Sequence, residues 1–181
     1  VLGLRLSVGQ RVLAFCVFDT MAPKDLTDPE ERAMAERMFG GMVDIPEGAK
    51  RTGCLRLCLG SGKTTLGAAF AIYRAVTAQF KVGPGDIPTV ITVAPDKETA
   101  ALSIRMAREL MDGVPSLAKL IETGDKYYIQ IRRPDKKRVL IEAKAAARGG
   151  RTARGRTILS FILDEAEFFG SAKEGVITLA A

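Results

Sequence analysis

Gly53-Cys-Leu-Arg-Leu-Cys-Leu59, running straight into Gly60-Ser61-Gly62-Lys63-Thr64-Thr65, is the stretch whose reading decides the fold. Leu55, Leu57 and Leu59 alternate as they would on one face of a strand. From Thr64 to Phe80, Leu66, Ala69, Phe70, Tyr73, Val76 and Phe80 recur at helical spacing. A strand that stops in glycines and restarts as a helix gathers backbone N–H groups and one ammonium around a single point, which makes a cradle for a polyphosphate. Glycine is required where backbone approaches a phosphate, because a Cβ would collide. Lys63 can neutralise the β- and γ-phosphates, Thr64 can ligate Mg²⁺ through its hydroxyl, and Gly60, Ser61, Gly62 and Thr65 complete the nucleotide-binding set. The usual pattern has a further glycine six residues before the lysine, where this chain has Leu57. The match is a variant P-loop, strong in its second half.

Downstream, Ile158-Leu-Ser-Phe-Ile-Leu163 leads into Asp164-Glu165. A carboxylate at the carboxyl end of a buried strand stands where such sheets hold a metal, so Asp164 is expected to manage Mg²⁺. Glu165, next along, is expected to polarise the attacking water as general base. An acidic pair ending a strand is unremarkable alone; behind an apolar strand and downstream of a phosphate loop it completes an ATPase.

The rest of the pattern alternates as a doubly wound α/β fold demands. Pro88 to Ala94 reads as a strand apolar on both faces. Asp96 caps a helix reaching about Asp112, with Ile104, Ala107 and Met111 on one side and Gly113 and Pro115 closing it. Tyr127 to Arg132 and Arg138 to Ala143 flank Pro134-Asp135-Lys136 as a hairpin. Thr157 to Leu163 is a third core strand. Upstream, Asp28-Pro29-Glu30-Glu31 reads as N-cap, proline at the first helical position and capping-box Glu, opening a helix through Met34 and Met38 to Phe39 that stops at Gly40-Gly41. The expected organisation is a lead segment, 1–52, packing on the core, and an incomplete P-loop ATPase domain, 53–181. The ending soon after the acidic pair, and Val1 in place of Met, lead us to expect a fragment truncated at the C-terminus.

Composition narrows the chemistry. There is no histidine, which removes the usual triads and proton shuttles. The three cysteines argue against a disulfide framework, and Cys54 and Cys58 sit inside the first strand as small core residues. The longest apolar run, Val12 to Phe18, is too short to span a bilayer, and no cleavage site follows it. A soluble, intracellular protein without a membrane partner is expected. Net charge is +6, and from Arg132 to Arg156 ten Lys or Arg residues face two acids, Asp135 and Glu142. Such a stretch is either a solvated hairpin and loop or an attraction for nucleic acid.

The phosphate loop, Asp164-Glu-Ala-Glu-Phe-Phe169, the Arg154-Gly-Arg156 before its strand, and Leu6-Ser-Val-Gly-Gln10 together resemble the ATPase portion of the large subunit of bacteriophage terminase, the DNA-packaging motor. The Phe39-Gly40 helix and the Ile45-Pro46 loop fit the same resemblance. It implies a RecA/ASCE-like P-loop core with a mostly parallel sheet and flanking helices. It also implies ATP and Mg²⁺ as cofactors, hydrolysis driving double-stranded DNA into a procapsid, portal and small-subunit partners, and a homo-oligomeric ring in the host cytoplasm. By the resemblance Lys63 and Thr64 fall on the phosphate-binding motif, Asp164 on the metal-binding acid, Glu165 on the catalytic acid and Gln10 on an adenine contact. Many members carry an arginine four residues before the loop lysine, where this chain has Leu59. Arg151, Arg154 or Arg156, or a neighbouring subunit, would then supply the arginine finger, or these arginines would grip DNA phosphates. The family's nuclease domain has no counterpart here. The competing readings are a helicase-type remodelling ATPase, a small-molecule phosphotransferase, and a non-enzymatic nucleotide-binding scaffold or inactive prophage remnant.

Overall fold

The computed structural model describes residues 6–18, 21–41, 60–146 and 156–166. They fall into two compact units, one on each side of the Leu59–Gly60 junction. The expected strand from Gly53 to Leu59, with Cys54 and Cys58, the loop at Ile45-Pro46 and the Arg148 to Gly155 segment lie outside the described residues.

In the first unit, helix α1 (Val8–Leu13) continues as a π-helical turn, Ala14–Phe18, and is followed by a 3-10 turn, Pro23–Asp25, and helix α2 (Pro29–Met38). Val12, Cys16, Leu26 and Ala35 form its small core. Asp28 caps α2 by accepting from the Glu30 N–H at 2.8 Å, and Gly40 and Gly41 end it with φ of 64° and 82°. The expected capping-box role of Glu31 is not what the structure shows. Its carboxylate instead accepts from the Arg11 guanidinium of α1, which ties the two helices together. A complete capping box is found one helix earlier: Ser7 accepts from the Gln10 N–H, and the Gln10 side chain accepts from the Ser7 N–H.

The second unit is α/β. Helix α3 (Lys63–Thr77), strand β1 (Thr89–Ala94), helix α4 (Lys97–Asp112), the single turn α5 (Pro115–Ala118) and strands β2 (Ile121–Gly124), β3 (Tyr128–Arg132), β4 (Arg138–Ala145) and β5 (Ile158–Leu163) follow in order. The sheet order is β2-β3-β4-β1-β5. β4, β1 and β5 are parallel, while β2 and β3 add antiparallel pairings. The mostly parallel expectation thus holds for the core, and the sheet as a whole is mixed. The reason is local: Pro134 to Lys136 is too short a connection for anything but an antiparallel pair.

β1 is buried at all six positions, as its Thr-Val-Ile-Thr-Val-Ala sequence requires in the middle of a covered sheet. α3 and α4 share one hydrophobic cluster on the same sheet face, joining Ala68, Ile72, Ile104 and Met111 to Val90, Ile129, Val139 and Ile141. On the other face of the antiparallel part, polar residues take over. Glu122 accepts from Gln130 at 2.8 Å and from the guanidinium of Arg132, and pairs with Arg138 at 3.0 Å.

Those partners, Arg132 first and Gln130 next, pull the Glu122 carboxyl from its usual 4.5 down to about 2. A depressed folded-state value means that the bonded carboxylate contributes stability above the unfolded-state pKa. The contribution fades as pH falls from about 4.5 towards 2. Wild type is therefore expected to lose melting temperature over that window relative to Glu122→Gln, with the gap between the two widest near neutrality. Parallel acid limbs in thermal melts would contradict this.

Candidate functional site

The start of α3 is built by two glycines in the left-handed region, Gly60 at φ 76° and Gly62 at φ 78°. Other residues adopt that conformation only at a cost of roughly 1–2 kcal/mol, so this turn depends on glycine. Gly62 is the N-cap of α3 and makes no side-chain cap bond, and Lys63, Thr64 and Thr65 follow as its first turn. α1, α2 and α4 are each closed by their own side chain, from Ser7, Asp28 and Asp96 respectively. A glycine-capped start turns the N–H groups of the first turn and the positive end of the helix dipole towards an anion.

On the other side stands the end of β5. The Asp164 N–H still donates to Val93 O at 2.9 Å, the last rung onto β1, so the backbone of Asp164 is fixed by the sheet. Glu165 then turns the chain out of the strand with φ 53°, and it is exposed. A glutamate held in the left-handed region is uncommon and carries strain of order 1 kcal/mol, a feature that concentrates at functional sites.

These two ends meet. The Thr64 hydroxyl lies 3.1 Å from Asp164 Oδ2, donating across a separation of 100 residues. Further along, Arg74 of α3 donates to Leu159 O of β5 at 3.4 Å. From 64 to 74 a helix rises about 15 Å, and from 164 back to 159 a strand covers about 16 Å. The two contacts therefore pin an antiparallel helix flat along the strand. Gly67 faces β5, where a Cβ would sit 3.4 Å from Ile162 Cγ2, in van der Waals contact.

Thr64 and Asp164 offer two hard oxygen ligands side by side, the donor chemistry Mg²⁺ prefers. Among the described residues there is no group of three or more His, Cys, Asp or Glu that would make an all-protein metal cage.

Not every residue singled out from the sequence comes to this point. Arg156 stands before β5, at the end of the strand opposite Asp164, and pairs with Glu142, which also holds Lys144 at 2.6 Å. Gln10 belongs to the first unit, where its side chain closes the capping box of α1. Arg151 and Arg154 lie outside the described residues. Sequence reasoning missed Arg74, whose tie to β5 orients α3; its only signal was a cation late in a helix that is mostly apolar and small after its first turn. No helix among the described residues is long and apolar enough to cross a membrane. No protein family, characterised protein or solved structure matches the chain.

Proposed function

We propose that this chain is the ATPase portion of a bacteriophage terminase large subunit, hydrolysing ATP with Mg²⁺ to drive translocation of double-stranded DNA. The observation that carries the reading is the 3.1 Å approach of Thr64 to Asp164, which joins the phosphate loop to the acidic strand end. The P-loop NTPase identity of the α/β unit belongs to the same proposal.

In this reading the first-turn N–H groups of α3 and the Lys63 ammonium hold the β- and γ-phosphates. Thr64 and Asp164 hold the metal, which when bound neutralises charge on the phosphate oxygens. Glu165, one residue beyond the last rung of β5, orients water and accepts its proton. Asp164 and Glu165 divide the work because the first is anchored to β1 and the second is turned out of the strand. Double-stranded DNA, the portal, the small subunit and a homo-oligomeric ring are the partners this function implies.

The test is Mg²⁺-dependent ATP binding. Wild type is expected to bind ATP more tightly with Mg²⁺ than with EDTA, and Asp164→Asn is expected to lose most of that difference. A charged-group hydrogen bond is worth about 1.5–3 kcal/mol, so the loss should be roughly 10–100-fold in Mg²⁺-dependent affinity. Equal metal dependence in the two proteins would remove Asp164 from the site. DNA-stimulated turnover separates the motor reading from a small-molecule phosphotransferase.

A further inference from the structure

A second cleft lies at the opposite end of the sheet. It has a volume of ≈ 480 Å³ and opens between the 82–87 segment, which precedes β1, and the turn of the β3–β4 hairpin. Because β1 is six residues long, this amino end is about 20 Å from the carboxyl end where Thr64 and Asp164 meet.

The cleft is lined by Arg132, Lys136, Lys137 and Arg138, with Asp86 the acid among its lining residues. Arg132 and Arg138 are direct cross-strand partners. Like charges placed opposite each other on a sheet repel, with Cβ atoms only about 5 Å apart. Glu122 answers that repulsion with a single carboxylate shared between two guanidinium groups. Asp135 is spent on Arg133 and Lys137, at 3.4 and 3.8 Å. Asp86 accepts from the Thr157 hydroxyl. Five cations, with Arg133 included, thus stand against three carboxylates, and Lys136 at the tip is exposed.

This surface is held rigid. Lys136 is fixed at φ 64° within a turn closed by Lys136 N–H to Arg133 O and Arg133 N–H to Lys137 O, each at 2.9 Å. The buried Arg133 donates to Ala78 O at 2.7 Å and Lys137 to Phe80 O at 3.4 Å, while both cations sit over the Phe80 ring. A preorganised array loses little entropy when it meets a ligand.

We propose that this cleft binds the phosphate backbone of double-stranded DNA. A duplex presents one negative charge per about 1.7 Å of its axis, so a hairpin-wide patch faces several phosphates at once. Arg132 and Arg138 share the one carboxylate of Glu122 between two positive charges, which leaves net positive charge facing the cleft for phosphate oxygens. A membrane surface is disfavoured, because the exposed large apolar residues among those described are Leu102 and Leu163, neither of which lines the cleft. The inference deepens the proposed function by naming where its DNA would sit, yet it rests on the charge array and not on nucleotide chemistry.

The test compares two variants of the full chain that remove the same charge. Lys136→Asn/Arg138→Gln removes two of the four lining cations while leaving Arg132 on Glu122, and asparagine tolerates the left-handed turn. Lys97→Gln/Lys126→Gln removes two cations at the carboxyl end, where both lie over the Tyr127 ring. Binding of a labelled mixed-sequence duplex is followed against salt, with thermal melts to verify folding and ATP binding measured in parallel. The cleft variant is expected to bind roughly 50-fold more weakly at 0.1 M salt, with the slope of log K against log salt reduced by about 1.8. The control variant should stay within a few-fold of wild type. Equal losses in both variants, no loss in either, or equally tight capture of poly-glutamate or phosphatidylserine vesicles by wild type would overturn the proposal. If ATP fails to bind wild type, the nucleotide reading falls while the duplex comparison still decides this one.

Discussion

Glu165→Gln is expected to bind ATP about as well as wild type and to turn it over about 10²–10⁴-fold more slowly. The substitution keeps size and hydrogen-bonding capacity and removes only the proton-accepting charge. Because the backbone of Glu165 already sits in the left-handed region, at φ 53°, and the side chain is exposed, the amide has little to disturb in the fold. The strain in that turn has no evident structural return within the described residues. Its use is to leave Asp164 on the last rung of the sheet while carrying the next carboxylate away from it. Single-turnover hydrolysis measured beside equilibrium ATP binding checks the claim, on this chain or on any longer protein that contains it. Parent-rate turnover by Glu165→Gln would assign the base elsewhere.

Lys63→Ala should produce the largest loss of nucleotide affinity, about two orders of magnitude or more, approaching no detectable binding. It removes a charge-assisted contact to phosphate worth about 3 kcal/mol from a site with few other cations. Lysine 63 begins α3 at N1, where its charge opposes the helix dipole; in an unliganded helix this is the unfavourable end for a cation. Titration with a fluorescent ATP analogue gives the reading, and a thermal melt verifies that the variant folds.

Much of the α/β unit was legible because its signals are local. Asp96 reads as a cap, and its carboxylate does accept from the Thr99 N–H at 2.8 Å. Ile104, Ala107 and Met111, placed on one face by helical period, are all buried. The β3–β4 hairpin and β5 likewise appear where turn residues and apolar alternation put them. Errors arose where a distant partner overrides local pattern. Periodicity carries α3 to Phe80, but it ends at Thr77, since Arg133 takes Ala78 O and the Phe80 ring turns to face Arg133 and Lys137. β2 escaped notice because four residues, Ile-Glu-Thr-Gly, are too few to show a period and are half exposed. Glu31 left its expected capping role because Arg11 offers a charged partner instead of a backbone N–H.

The residue types at the candidate site follow from sequence alone: glycines at 60 and 62 favour a tight turn, and without histidine an amine, a hydroxyl and carboxylates are the groups that could handle phosphate and metal. What tertiary structure decided is which of these meet. A separation of 100 residues carries no local signal, and it is the pinning of α3 along β5 that brings Thr64 to Asp164. By the same physics Arg156 is directed to Glu142 at the far end of its strand, and the basic run of 132–138 is folded into one cleft. Charge and conformational preference are properties of single residues; proximity is a property of packing.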